Sequence, residues 1–278
     1  MYWRSFLRSL PLYDIALFSK ELNVNESYAY GARYAVVMRQ FFVPEIHRPI
    51  SLSNREMERF GCDVAFAGHF ERDGRAECIR SLATAGLRTR LYADWSWQNV
   101  KMPPPTENFQ MHGRVRGDEY AKALAGAGMC LCFLSKMNRD ECTTRCFEIP
   151  ACGRLLLSER TQALMSLFRE DKEAVFFSTP DELTTKALWL RDHRVERERI
   201  AKAGMRRVID DGHAVTDRMM QFLGLVRELS AKRNRALAPG SVLSSEPGGR
   251  HFDDGPPTCA HLPGQRKLLS GNGFRAEI

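Results

Sequence analysis

From Cys62 onward, short apolar runs alternate with longer segments whose apolar side chains recur at helical spacing. DVAFA, TRLYA, MCLCFL, LLLS and AVFF read as strands. Residues 73–85 place Ile79, Leu82 and Ala83 on one helical face. Helices are also expected over 118–127, 144–151, 163–168, 180–191, 195–209 and 214–229, the start at 180 strengthened by Pro180 and Asp181. Strands alternating with helices predict an α/β fold, a doubly wound parallel sheet of Rossmann-like type. Upstream, YDIALFS and YAVVM read as two further strands around a polar stretch with a GAR turn, and FFVPEIHRP as an extended linker, since Pro44 and Pro49 each disfavour helix before them. After Leu229 the periodicity fails, and residues 232–278, rich in Gly, Pro and Ser, are expected to be a disordered tail.

Composition narrows the class. The chain has 278 residues, 44% of them hydrophobic, enough for a real core, and a net charge of +7. That charge suits a solvated surface or anionic ligands, and no dense basic run with interleaved aromatics suggests nucleic-acid binding. The longest apolar run, 123–134, is too short for a membrane span, and the first ten residues carry Arg4 and Arg8 inside an apolar stretch, unlike a signal peptide. A cytoplasmic location is expected. The eight cysteines include no CxxC pair; Cys142 and Cys146 have metal-ligand spacing once, without a second pair. Reduced, buried thiols are the expectation, with no metal and no bound cofactor.

The segment from Asp140 to Gly153, DECTTRCFEIPACG, carries the most chemistry. A loop, a short helix, a glycine and then a buried strand is how a parallel sheet offers a helix start to a ligand at its edge. Glu148 inside that helix can accept from two ribose hydroxyls, and Arg145 can face a diphosphate. Read alone, Glu148 pairs with Arg145 at i, i+3 on a helix surface. Thr143 and Thr144 either cap the helix or add hydroxyl donors for phosphate.

TTRCFEIPACGRLLLSER, LFREDKEAVFFSTPDEL and RERIAKAGMRRVIDDGHAVTDR, together with DVAFAGHFERDGR and FFVPEIHRP upstream, resemble the C-terminal half of the CgeB-type (spore-maturation) glycosyltransferases, within the group 1, GT-B glycosyltransferases. The resemblance covers roughly residues 12–227. It implies a metal-independent transfer of sugar from a nucleotide-activated donor to an unknown acceptor, with retained configuration. In that superfamily two acidic residues seven or so positions apart serve the donor; Asp140 and Glu148 correspond, with Asp where Glu is usual. Glu148 would hold ribose, Asp140 the sugar, and Arg145 the departing diphosphate. The resemblance also places Gly68 and His69, with Arg72 and Arg75, in a loop facing the diphosphate.

The resemblance divides the chain into 1–57, a remnant of an N-terminal domain with its linker; 58–231, the nucleotide-sugar-binding domain with closing helices; and the tail. It implies a truncated two-domain enzyme. Its alternative is a donor-binding module without turnover, or one that needs a separate N-terminal subunit for the acceptor. A nucleotide-sugar epimerase of similar sheet type is a third class, against which stands the missing Gly-rich cofactor loop: Gly126-Ala127-Gly128 precedes a strand and reads as a helix end. Tyr92, Trp95 and Trp97 follow a strand and either stack on a nucleobase or pack beneath the Pro103–Pro105 loop. His213 and Arg218 read as capping and closure.

Overall fold

Residues 62–68 bury Cys62, Val64, Ala65 and Phe66, and the computed structural model, which describes residues 4–237, places this run as a central strand of the main sheet. Six parallel strands follow the order β5-β4-β3-β6-β7-β8. They are β3 (Cys62–Gly68), β4 (Thr89–Ala93), β5 (Phe109–Gly113), β6 (Ala127–Cys132), β7 (Leu155–Glu159) and β8 (Val175–Phe177). Each strand except the edge strand β5 buries residues on both faces. Val64, Phe66, Met129, Leu131, Leu155, Leu157, Val175 and Phe177 face one apolar layer; Ala65, Cys130, Cys132, Leu156 and Phe176 face the other.

Helices cover both layers. The first takes Ile79 and Leu82 of α4 (Arg75–Thr84), Leu183 and Ala187 of α8 (Pro180–Asp192) and Ile200 of α9 (Arg194–Asp210). The second takes Leu124 of α5 (Gly117–Gly126), Phe147 of α6 (Arg145–Ala151) and Leu164 of α7 (Gln162–Leu167). The strand order reverses between β3 and β6, the switch point at whose C-terminal crevice such sheets bind ligands. The expected doubly wound α/β fold is therefore present.

Several boundaries and elements differ from expectation. Helix α3 (Asn54–Phe60) was not anticipated, although Ser53 and Glu56 form a reciprocal cap at its start. Strand β5 was missed because it is an edge strand whose residues beyond Phe109 are partly exposed, so it carries no apolar run. Between β5 and β6 lies α5, which ends at Gly126 and passes into β6 without a loop. A side chain at Gly126 would collide with the Phe60 carbonyl, so this glycine marks a close backbone approach. Helix α6 ends at Ala151, as expected, one residue beyond Pro150, whose missing N–H leaves the last turn weakly bonded.

Before this sheet, α1 (Arg4–Ser9), β1 (Ala16–Phe18), α2 (Glu21–Ala29) and β2 (Ala35–Val37) form a separate two-stranded parallel sheet. It has its own small core of Leu10, Ala16, Phe18, Ala32 and Ala35. The polar stretch between the strands is thus a helix, which its composition did not announce. The linker joins α10 (Val215–Leu237): the Phe42 N–H donates to the His213 carbonyl at 3.1 Å, and the Val215 N–H to the Phe42 carbonyl at 2.9 Å. Arg218, buried, donates to the Arg39 carbonyl at 3.0 Å and contacts His213 Nδ1, so this pair serves closure. Helix α10 continues past Leu229 to Leu237, and the rest of the expected tail lies outside the described residues. The seven described cysteines are free and buried.

Candidate functional site

The crevice at the C-terminal ends of β3 and β6 is built from two loops. One, after β3, holds Gly68 to Gly74; the other, after β6, holds Phe133 to Thr144. They are tied together where the buried Ser135 hydroxyl donates to Glu71 Oε2 at 2.9 Å. Asp140 lies in the second loop, while Arg145 and Glu148 lie in the α6 that follows it.

Glu148 is held from two sides. The Tyr120 hydroxyl, in the first turn of α5, donates to its Oε2 at 2.8 Å. His47, from the linker, brings Nε2 to 3.6 Å from Oε1. The Val43 N–H donates to His47 Nδ1 at 3.0 Å, which fixes the neutral tautomer with its proton on Nε2, facing the carboxylate. Burial lowers the His47 pKa, with Glu148 opposing. Burial and the Glu148 charge push the Tyr120 phenol well above its ordinary range, so it stays a donor.

Arg145 forms no ion pair among the described residues, and its Nε is buried without a hydrogen-bond partner. The i, i+3 pairing of Arg145 with Glu148 is thus absent; the carboxylate takes Tyr120 and His47 instead. An unpaired guanidinium beside a crevice is an anion-seeking group. Thr144 is already helical and its hydroxyl does not cap α6. The carbonyls of Thr143 and Thr144 accept the Cys146, Phe147 and Glu148 N–H groups. The Thr143 hydroxyl lies against the thiols of Cys132, at 3.6 Å, and Cys146, at 3.8 Å.

Asp140 is engaged elsewhere. Lys20 Nζ lies 2.6 Å from its Oδ1, so the expected sugar-contacting carboxylate is partnered by the start of α2. Arg139 pairs with Glu26 of the same helix at 2.9 Å. The two acidic residues of the motif therefore face different partners.

The loop after β3 departs most from expectation. Arg75 is buried, with Nε donating to Asp73 Oδ1 at 2.8 Å, Nη2 to Asp73 Oδ2 at 2.5 Å and Nη1 to the His69 carbonyl at 2.7 Å. These bonds fold the loop back on itself and engage the Arg75 guanidinium, which the sequence assigns to phosphate, within the loop. An added Cβ at Gly68 would come within 2.7 Å of the Phe66 ring. His69 pairs with Glu71 at 2.7 Å. Arg72 is exposed and has no partner among the described residues, so it keeps its donors free.

Of the three aromatics, Trp97 is buried and donates to the Gly68 carbonyl at 2.8 Å. Tyr92 is buried and stacked on His112, with ring centroids 5.4 Å apart. Trp95 alone is exposed; with His112, Arg114 and Arg116 it lines a cavity of about 610 Å³ beyond β4 and β5. His47, Tyr120 and Lys20 were not singled out from sequence. Each becomes a site residue only through a tertiary contact with a distant segment, and no local spacing announces it.

The clamped carboxylate and the unpaired arginine thus lie on the helix that follows the β6 loop, at the end of the sheet where such folds bind ligands. The glycosyl transferase-like family model matches residues 72–224, more than half of the chain, and the chain belongs to that family. Its fold is similar to that of sucrose-phosphate synthase from Thermosynechococcus elongatus, with a TM-score of 0.59 and 11% identity over 82% of this chain and 61% of that one. It is similar to HepE from Anabaena in complex with UDP-glucose, with a TM-score of 0.60 and 9% identity over 82% of this chain and 68% of that one. It is also similar to the C-terminal domain of a group 1 family glycosyl transferase from Francisella tularensis, with a TM-score of 0.50 and 11% identity over 61% of this chain and 97% of that domain. The likeness is one of fold, the Rossmann-like fold of GT-B glycosyltransferases, and the chain spans 61% of the synthase's length. A search of curated proteins finds no match. No helix among the described residues is long and apolar enough to cross a membrane.

Proposed function

We propose that the crevice binds a nucleoside diphosphate sugar and that the protein transfers the sugar to an acceptor hydroxyl. The observation that carries this reading is the pairing of a clamped carboxylate, Glu148, with an unpaired arginine, Arg145, three positions away. Glu148 accepts from the ribose hydroxyls, oriented by Tyr120 and His47. Arg145 meets the diphosphate. As the glycosidic bond breaks, negative charge grows on the leaving phosphate, and a fixed guanidinium stabilises it without a metal ion. Arg72 can swing toward the same anion. Asp140 approaches the sugar only if Lys20 yields. Retention of configuration and the CgeB-type branch rest on the motif order in the sequence. UDP is the first nucleotide to test, because HepE is described with UDP-glucose.

A second reading, a donor-binding module whose acceptor half comes from elsewhere, is favoured by one observation: the described N-terminal sheet has only two strands. Titrating UDP and UDP-glucose into the full chain, with and without chelator, and then assaying UDP release tests both. Saturable binding with release supports the transferase, and binding without release supports the module. No binding of any nucleoside diphosphate sugar contradicts both.

A further inference from the structure

A second basic cavity opens at the opposite edge of the main sheet, where β6 and β7 begin beside the first half of α9. It measures about 260 Å³ and is lined in part by Arg154, Arg197 and Lys202. None of the three forms an ion pair among the described residues. The carboxylates nearby are already taken: Glu198 at the rim pairs with Arg194 at 2.6 Å, and Asp63 with Arg88 at 3.3 Å.

The cavity is built rather than incidental. Arg197 is fixed by donating from Nη1 to the Leu190 carbonyl at 2.9 Å and the Arg191 carbonyl at 3.3 Å, in the last turn of α8. Arg154 is set immediately before β7, its N–H donating to the Ile149 carbonyl at 3.2 Å. Its Nε is buried without a hydrogen-bond partner. A buried guanidinium N–H without an acceptor is costly, and so is crowding like charges. The first cost falls on Arg154 and the second on Arg197, whose pKa is lowered by burial first, with Arg194 and Arg154 adding to the effect and Glu198 and Asp63 opposing it. An anion placed among the three cations relieves both.

We infer that this cavity binds a phosphate-type oxyanion, free or as the phosphomonoester of a small molecule. Arg154 and Arg197 supply forked donors, and the exposed Lys202 supplies a mobile charge at the rim. The volume lies below the ~300–1,000 Å³ of ordinary ligand pockets, which suits a phosphate group better than a whole nucleotide. The inference does not depend on the donor site, which lies at the other ends of the strands.

The test is thermal-shift titration of the full chain with sodium phosphate and with glycerol 3-phosphate, each against sodium chloride at equal ionic strength. Saturable stabilisation by phosphate beyond chloride is expected. It should persist in Arg145→Gln, which alters only the donor crevice. It should weaken about tenfold in Arg154→Gln and in Lys202→Gln, the loss of one charge-assisted contact each. Tighter binding of glycerol 3-phosphate identifies an organic phosphomonoester, and equal or weaker binding identifies free phosphate. The inference is overturned if phosphate acts no differently from chloride, or if its effect is unchanged in both variants or lost in Arg145→Gln. Should Arg154→Gln fail to fold, the surface variant Lys202→Gln decides alone.

Discussion

The Tyr120 hydroxyl donates to Glu148 Oε2 at 2.8 Å, joining the first turn of α5 to the helix that carries the donor motif. This bond leaves Glu148 Oε1 to face His47. A carboxylate fixed this way loses little rotamer freedom when a ribose arrives.

Removing that bond should weaken nucleotide binding without unfolding the protein. Tyr120→Phe keeps the ring and its edge contact with His47. We expect the UDP dissociation constant to rise about tenfold or more, the net worth of one hydrogen bond to a charged group. Isothermal titration of wild type and Tyr120→Phe measures this.

Arg75 should behave in the opposite way. It and Asp73 are each about 3% exposed and bonded to one another. Arg75→Ala leaves a buried carboxylate without its partner, a loss of about 3–5 kcal/mol. Urea unfolding should show that loss, while Arg72→Ala, at an exposed position, should leave stability nearly unchanged and weaken only diphosphate binding. A stable Arg75→Ala that has lost nucleotide affinity would restore Arg75 to the donor site.

His213 predicts an acid limit. Burial, with Arg218, Arg39 and Arg207 nearby, lowers its pKa to about 4 from 6.5. The unfolded chain therefore binds this proton more readily than the native one, so stability from this residue is full above about 6.5 and is lost as pH falls toward about 4. The full loss is about 3 kcal/mol. His213→Asn should flatten that part of the profile, read by chemical unfolding between these two pH values.

Lys20 and Asp140 offer a separate check. If their 2.6 Å pair holds the loop after β6 in place, Lys20→Ala should destabilise the protein by about 1–3 kcal/mol, since both side chains are largely buried. If Asp140 then contacts the sugar, Lys20→Ala should tighten UDP-glucose relative to UDP. Paired titrations give the ratio directly.

The main sheet was readable because its central strands are short continuous apolar runs between amphipathic helices, the pattern expected of a parallel sheet covered on both faces. Strand β5 escaped because an edge strand needs only one buried face. Helix α2 escaped because its face is weakly apolar and packs on a small core. Glu148 and Arg145 were readable from their place on a helix after the β6 loop. What they touch was not, because His47 and Tyr120 come from a linker and from a different helix. Arg75 misled for a related reason: its charge suggested a phosphate, while the buried Asp73 two positions away had already claimed it. Burial, which decides between those roles, is a property of the packed chain.

The central claim is that Glu148 and Arg145 form a nucleotide-sugar site, and nucleotide-induced thermal stabilisation tests it most directly. Wild type, Glu148→Gln and Glu148→Ala would be titrated with UDP, GDP, ADP and CDP and their sugars. Ligand at 100 times its dissociation constant should stabilise the wild type by about 2.7 kcal/mol. The account predicts such a shift for one base, reduced in Glu148→Gln and abolished in Glu148→Ala, with the variants' own stability nearly intact. A shift that survives in Glu148→Ala, or no shift with any nucleotide, would contradict it.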